Sequence, residues 1–210
     1  SMPFLAHPRV EPDGRIWNLG LNGDRAIVWR LSPAGELEDA QVIPLPRASY
    51  IHDFTATDRH LVIVLQPWVH VRRVMPMSAG FDWLPETGTQ VLVLDKADLS
   101  ARRIYELPAF GFFHLGDAWR DGDDIRFDVC VHADMDFAAS GAVRMLNGVP
   151  LGGEPARLAM AHLRADGSAG LERLDVIAEF PRGDPRRSGL ARRFSLHTTG
   201  DSPERPLASG

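Results

Sequence analysis

Short apolar runs alternate with polar turns along most of this chain, and no segment keeps an apolar stripe at the 3.6-residue period of a helix. Tyr50-Ile51-His52-Asp53-Phe54-Thr55-Ala56 reads as a short strand, Thr57-Asp58-Arg59 as a turn, and His60-Leu61-Val62-Ile63-Val64 as a second, almost wholly apolar strand. The same grammar occurs twice more. Ala6-His7-Pro8-Arg9-Val10 leads through Glu11-Pro12-Asp13-Gly14 into Ile16-Trp17-Asn18-Leu19. Phe113-His114-Leu115-Gly116-Asp117-Ala118-Trp119 leads through Arg120-Asp121-Gly122-Asp123 into Ile125-Arg126-Phe127-Asp128-Val129. Further strands are expected at 26–31 and 41–45 around a Pro-Gly turn, at 90–95 and 103–107, and at 156–164 and 171–180. Residues 66–86 read as a long loop with apolar side chains, and 133–156 as an insertion without a clear period. The tail around 202–206 is expected to fray.

Short strands at roughly 8–12-residue spacing with turns between them indicate an all-β sandwich, barrel or propeller. Repetition of a hairpin unit that carries one histidine at a similar distance before its turn favours the propeller, whose blades surround a central channel. A partial set of blades would leave raw strand edges, through which self-association is expected.

Composition narrows the function. With 210 residues and 44% hydrophobic content the chain can bury a sizeable core, and one globular unit is the default. A net charge of −5 excludes a basic nucleic-acid footprint. The lone Cys130 allows no internal disulfide and sits in an apolar run, as a buried inert thiol does; a reducing, cytoplasmic setting is expected. No apolar run reaches the ~20 residues needed to span a bilayer. Ser1-Met2 reads as a tag remnant, and the abrupt start on His7 is expected of a piece of something longer.

A histidine taken alone is usually a surface or satisfied structural residue. Three in equivalent places of three repeated hairpins, His7, His52 and His114, can converge on an axis. Clustered neutral imidazoles suit Zn, Fe, Cu or Ni, and spacing alone does not choose among them. His60, His70, His132, His162 and His197 lack the shared context and read as structural or exposed.

At these residues the sequence resembles the carotenoid cleavage oxygenase family, which includes apocarotenoid oxygenases and lignostilbene dioxygenases. The likeness rests on four segments in the family's order: Ala6-His7-Pro8-Arg9-Val10-Glu11-Pro12, Ile51-His52-Asp53-Phe54-Thr55-Ala56-Thr57, Phe112-Phe113-His114-Leu115-Gly116-Asp117-Ala118-Trp119, and Ala178-Glu179-Phe180-Pro181-Arg182-Gly183-Asp184-Pro185-Arg186. It implies a seven-bladed β-propeller with iron on its axis, here represented by a central part over residues 1–210. It further implies His7, His52 and His114 as Fe(II) ligands and Glu179 as a carboxylate bonded to a ligating histidine, fixing its tautomer. The implied reaction is oxidative cleavage of a conjugated C=C bond of a carotenoid, apocarotenoid or stilbenoid by dioxygen, giving two carbonyl products. Trp68, Met75, Met77, Phe81 and Trp83 are then candidates for an apolar substrate tunnel, and apolar surface patches for peripheral membrane contact.

Two departures matter. Asp117 stands where the family usually has Asn, and the family's fourth histidine has no counterpart, since His197 does not match its segment. With three ligands the chain is expected to bind iron weakly and turn over at trace level. Two competing readings are a non-catalytic partial propeller used for protein interaction and, ranked last, a small closed barrel with a zinc site.

Overall fold

The computed structural model describes residues 3–75, 77–149 and 154–199. Three four-stranded antiparallel sheets follow one another along the chain, and no sheet among the described residues closes on itself. The first runs β1 (Arg9–Val10), β2 (Ile16–Asn22), β3 (Arg25–Leu31) and β4 (Leu37–Pro44) in simple order. The second is built from β5 (Thr55–Ala56) and β6 (His60–Leu65), an excursion of β7 (Trp68–His70) and β8 (Phe81–Trp83), then β9 (Thr89–Asp95) and β10 (Arg102–Leu107), in the order β5-β6-β9-β10. The third is β11 (Gly111–Asp121), β12 (Asp124–His132), β13 (Arg157–Leu163) and β14 (Ala169–Ile177). A pair formed by β15 (Glu179–Arg182) and β16 (Leu196–Thr198) follows.

The sheets stack face to face, and strand periodicity explains how. Along β6, Leu61, Ile63 and Leu65 point one way and join Trp17, Leu19, Val28 and Ile43 of the first sheet in one core. Val62 and Val64 point the other way and join Phe112, Phe127, Val129 and Ala161 of the third sheet in a second core. β9 divides in the same manner, Leu92 and Leu94 toward the first sheet, Val91 and Val93 toward the third. A strand buried on both faces has no polar positions, which is why 61–65 reads as a continuous apolar run. A third, smaller core of Cys130, Ala156 and Ala178 joins the third sheet to the start of the β15–β16 pair. Stacked sheets with β5, β11 and β15 neighbouring one another on the inside are successive blades of a propeller.

Three local expectations are corrected. The first strand of the His52 hairpin is confined to Thr55–Ala56, because the chain before it pairs elsewhere: Ser49 bridges Val69, and the Tyr50 amide donates to the Trp68 carbonyl at 2.8 Å. Residues 66–86 are no loose loop, since β7 and β8 pair with Trp68 opposite Trp83 and stack large side chains on one face. Residues 133–156 contain a helical stretch, Phe137–Gly141 continuing into α1 (Ala142–Leu146), too short for its sequence to show a helical period. The tail at 202–206 lies outside the described residues, and none of these has a helix long and apolar enough to cross a membrane.

Candidate metal centre

Four segments in or just before the inner strands each deliver one side chain to the same place. His7 lies just before β1, His52 just before β5, His114 within β11, and Glu179 opens β15. β11 can carry His114 inward because its pairing with β12 shifts register between Phe112 and Leu115 and again between Leu115 and Ala118; such bulges re-aim side chains. The second bulge contains Gly116, where any side chain would run into the buried carboxylate of Asp128.

One ring nitrogen from each of His7, His52 and His114 falls in a group spanning no more than 4.8 Å. His7 Nε2 and His52 Nε2 are 3.1 Å apart. The ring centroids are separated by 4.9 Å for His7 and His52, 5.0 Å for His7 and His114, and 5.3 Å for His52 and His114, all edge-to-face. Nitrogens about 2.1 Å from a shared ion and roughly at right angles to one another lie about 3 Å apart, so the donor set fits a transition metal. All three rings are only partly exposed. Burial is the main cause that lowers the pKa of both His7 and His52, and the neighbouring imidazoles add to it for His52. Both are therefore neutral near pH 7, the form that ligates.

Glu179 orients one of the rings. Its Oε2 lies 2.7 Å from His114 Nδ1 and its Oε1 3.3 Å from His132 Nε2. Burial acts to raise the Glu179 pKa, but the bonds from His114, His132 and the Phe180 amide outweigh it and hold the carboxyl at about 2. An ionised carboxylate only accepts, so Nδ1 of His114 carries the proton and its Nε2 lone pair is free for an ion. Phe180 completes the arrangement at φ 52°, a left-handed conformation unusual for a non-glycine residue. There its amide donates to Glu179 Oε2 at 2.9 Å and its ring lies 4.4 Å from that of His114. Strain of this kind is held where the surroundings over-determine it.

A row of rings extends from the cluster. Phe113 stands 5.2 Å from His52, Tyr50 6.2 Å from Phe113, Trp68 4.9 Å and Phe81 5.7 Å from Tyr50, and His70 5.1 Å from Phe81. Trp68 and Phe81 thus join the centre through aromatic contacts, and Trp83 faces Trp68 across β7 and β8. Met75 and Met77 are 89% and 60% exposed and belong to the surface of the excursion. A cavity of about 200 Å³ opens onto His7, His114, Arg9, Asp53 and Phe180; it is smaller than the ~300–1,000 Å³ typical of ligand pockets.

Sequence reasoning missed three groups here. His132, at the end of β12, is buried against Glu179 rather than standing apart. Tyr50 Oη lies 3.3 Å from His52 Nδ1. Asp53 and Arg9 form an ion pair beside the cluster, Nη2 to Oδ1 at 2.7 Å. Both charged residues stand within two positions of a candidate ligand, which was a usable signal. Asp117, in the place of the family's Asn, keeps its carbonyl bonded to Arg192 at 3.0 Å and turns its carboxylate toward Arg9 at 3.8 Å.

The family model described as retinal pigment epithelial membrane protein matches residues 1–209. The chain belongs to the carotenoid cleavage oxygenase family. Among relatives of this family, the mitochondrial carotenoid-cleaving dioxygenase of Mustela putorius furo is 32% identical over 154 residues, 61% of this chain and 28% of its own length. The lignostilbene dioxygenase of Pseudomonas brassicacearum superposes with a TM-score of 0.75 over 94% of this chain and 44% of its own, at 23% identity. A cobalt-substituted apocarotenoid oxygenase of Synechocystis does so with a TM-score of 0.75 at 16% identity, over 94% and 44%. These likenesses bear on the fold, and the chain spans less than half the length of each of the three proteins.

Proposed function

We propose that this chain carries the metal-holding blades of a non-haem Fe(II) oxygenase that cleaves a conjugated C=C bond of a carotenoid, apocarotenoid or stilbenoid. The observation that carries the reading is the convergence of three imidazole nitrogens within 4.8 Å, one of them oriented by a buried carboxylate. Family membership supports the reaction class, the names of the carotenoid-cleaving and lignostilbene relatives support the substrate class, and the cobalt-substituted neighbour supports a transition metal.

In this reading His7, His52 and His114 hold the ion as neutral donors, leaving it its full positive charge. Bound there, Fe(II) supplies the activation of dioxygen, whose two oxygen atoms end one in each carbonyl product. Glu179 keeps the proton of His114 on Nδ1 and makes the opposite nitrogen more basic. The far nitrogen of His52 lies 3.3 Å from the Tyr50 hydroxyl, which can accept its proton when the near nitrogen holds the ion. Phe113, Tyr50 and Phe81, each partly exposed, are the rings against which a conjugated substrate would lie beside the centre, with the buried Trp68 packed behind them. The row of rings orients the double bond and keeps water away from it.

The test incubates the protein with Fe(II), dioxygen and an apocarotenoid or a stilbene, and follows aldehyde products beside the Fe(II)-dependent rise in melting temperature. Both responses, however small the turnover, are expected to vanish in His52→Ala. A melting temperature indifferent to Fe(II), or products undiminished in His52→Ala, would sink the reading.

A further inference from the structure

The three histidines come from three blades, and contacts among their rings do not fix the distances between the strands that carry them. One ion pair helps to. Arg9 stands two residues after His7. Its Nη2 donates to Asp53 Oδ1 at 2.7 Å and to the Leu115 carbonyl at 3.1 Å, while its Nε donates to the Phe54 carbonyl. Asp53 follows His52 directly. Its Oδ1 also accepts the Phe54 amide at 2.8 Å, and its Oδ2 accepts the Leu115 amide at 2.9 Å. Leu115 follows His114. Every group in this network therefore lies within two residues of a candidate ligand, and each of the three blades contributes one of them.

The side chains of Arg9 and Asp53 are 14% and 3% exposed, so their bonds operate in a low-dielectric setting where directional donors and acceptors strengthen one another. The planar fork of a guanidinium reaches an acceptor in each of two blades at once, which a lysine point charge cannot reproduce. An asparagine at 53 would turn an NH₂ group either toward Arg9 or toward the Leu115 amide, setting donor against donor in both cases.

We propose that Arg9 and Asp53 are positioning residues of the metal centre: an inter-blade clamp that helps set the spacing of His7, His52 and His114 through the backbone beside each. Neither belongs to the group of donor atoms that would hold an ion. The purpose of the clamp rests on the metal reading above, whereas its geometry does not.

Asp53→Asn and Arg9→Lys are compared with Asp58→Asn, which breaks the exposed pair of Asp58 with Arg120. The first readout is amide hydrogen exchange of the metal-free protein. In the two clamp variants residues 52–55 and 113–116 are expected to exchange about 10-fold faster or more, with β3 and β13 unchanged. Unchanged exchange at those segments, or acceleration spread evenly over the chain, overturns the clamp. The second readout is Co²⁺ titration followed by visible absorption. Asp53→Asn is expected to bind at least about 10-fold more weakly with shifted bands, Arg9→Lys to fall between, and Asp58→Asn to match the parent. Equal affinity and spectrum in all four proteins overturns it as well. A parent chain that binds no cobalt would defeat the metal reading, while exchange still decides the clamp. Should Asp53→Asn fail to fold, Arg9→Lys carries both comparisons.

Discussion

Replacing Glu179 by Gln keeps the side chain's shape and removes its charge. The parent carboxylate accepts from His114 Nδ1 at 2.7 Å, His132 Nε2 at 3.3 Å and the Phe180 amide at 2.9 Å, with the residue 9% exposed. Burial alone would raise its pKa; the three bonds bring it from the ordinary 4.5 down to about 2. At about 1.4 kcal/mol per pH unit, that gap is worth on the order of 3 kcal/mol. Because the folded-state pKa is the depressed one, this contribution is complete above pH 4.5 and disappears as pH falls toward 2. Glutamine also sets an NH₂ donor against one of the two imidazole N–H groups. For a chain of this length each kcal/mol moves Tm by roughly 2–4 °C, so Glu179→Gln is expected to melt roughly 6–12 °C lower at pH 7. Circular-dichroism melts from pH 2.5 to 7 check this. The parent's Tm should fall steeply below pH 4.5, the variant's should be flatter, and the two should converge near the acid end. Equal melting temperatures at pH 7, or parallel profiles down to pH 2.5, would refute the reasoning.

Metal affinity should be nearly constant around neutrality and fall only as pH drops beneath the ordinary imidazole value of 6.5, because His7 and His52 take up protons less readily than free histidine; isothermal titration with Co²⁺ at several pH values reads this, and a fall already under way at pH 8 would contradict it. Cys130 is fully buried, and burial first, with Glu179 and Asp128 adding to it, pushes its thiol well above the usual range; a chromogenic disulfide reagent at pH 8 should react with it only after denaturation. Phe54→Ala should destabilise by about 3–5 kcal/mol, since the ring is wholly buried between the first and second blades, whereas Met75→Ala, at an 89% exposed position, should stay within about 0.5 kcal/mol in urea melts.

The sequence disclosed most where periodicity and burial coincide. The run 61–65 is apolar at every position because both of its faces are covered, and the turns at Gly14 and Gly122, with φ of 88° and 65°, were legible from residue type. His7, His52 and His114 stood out because each lies at a similar distance, four to six residues, before the turn of its own hairpin. Glu179 could be chosen only by resemblance, since its acidic neighbours in the sequence look no different. His132 was out of reach because its meeting with Glu179 depends on how β12 and β15 approach, 47 residues apart in the chain. β7 and β8 were hidden because their three-residue strands are too short to show alternation, and α1 because five residues are too few to show a helical period. Arg9 and Asp53 read as ordinary polar neighbours of two histidines until both were seen bonded to Leu115.

The most direct test of the metal centre is anomalous scattering at the cobalt edge from crystals grown with Co²⁺. A single peak within about 2.3 Å of the Nε2 atoms of His7, His52 and His114 is the expected result. A cobalt bound elsewhere on the protein, with these three imidazoles free of it at saturating metal, would contradict the account.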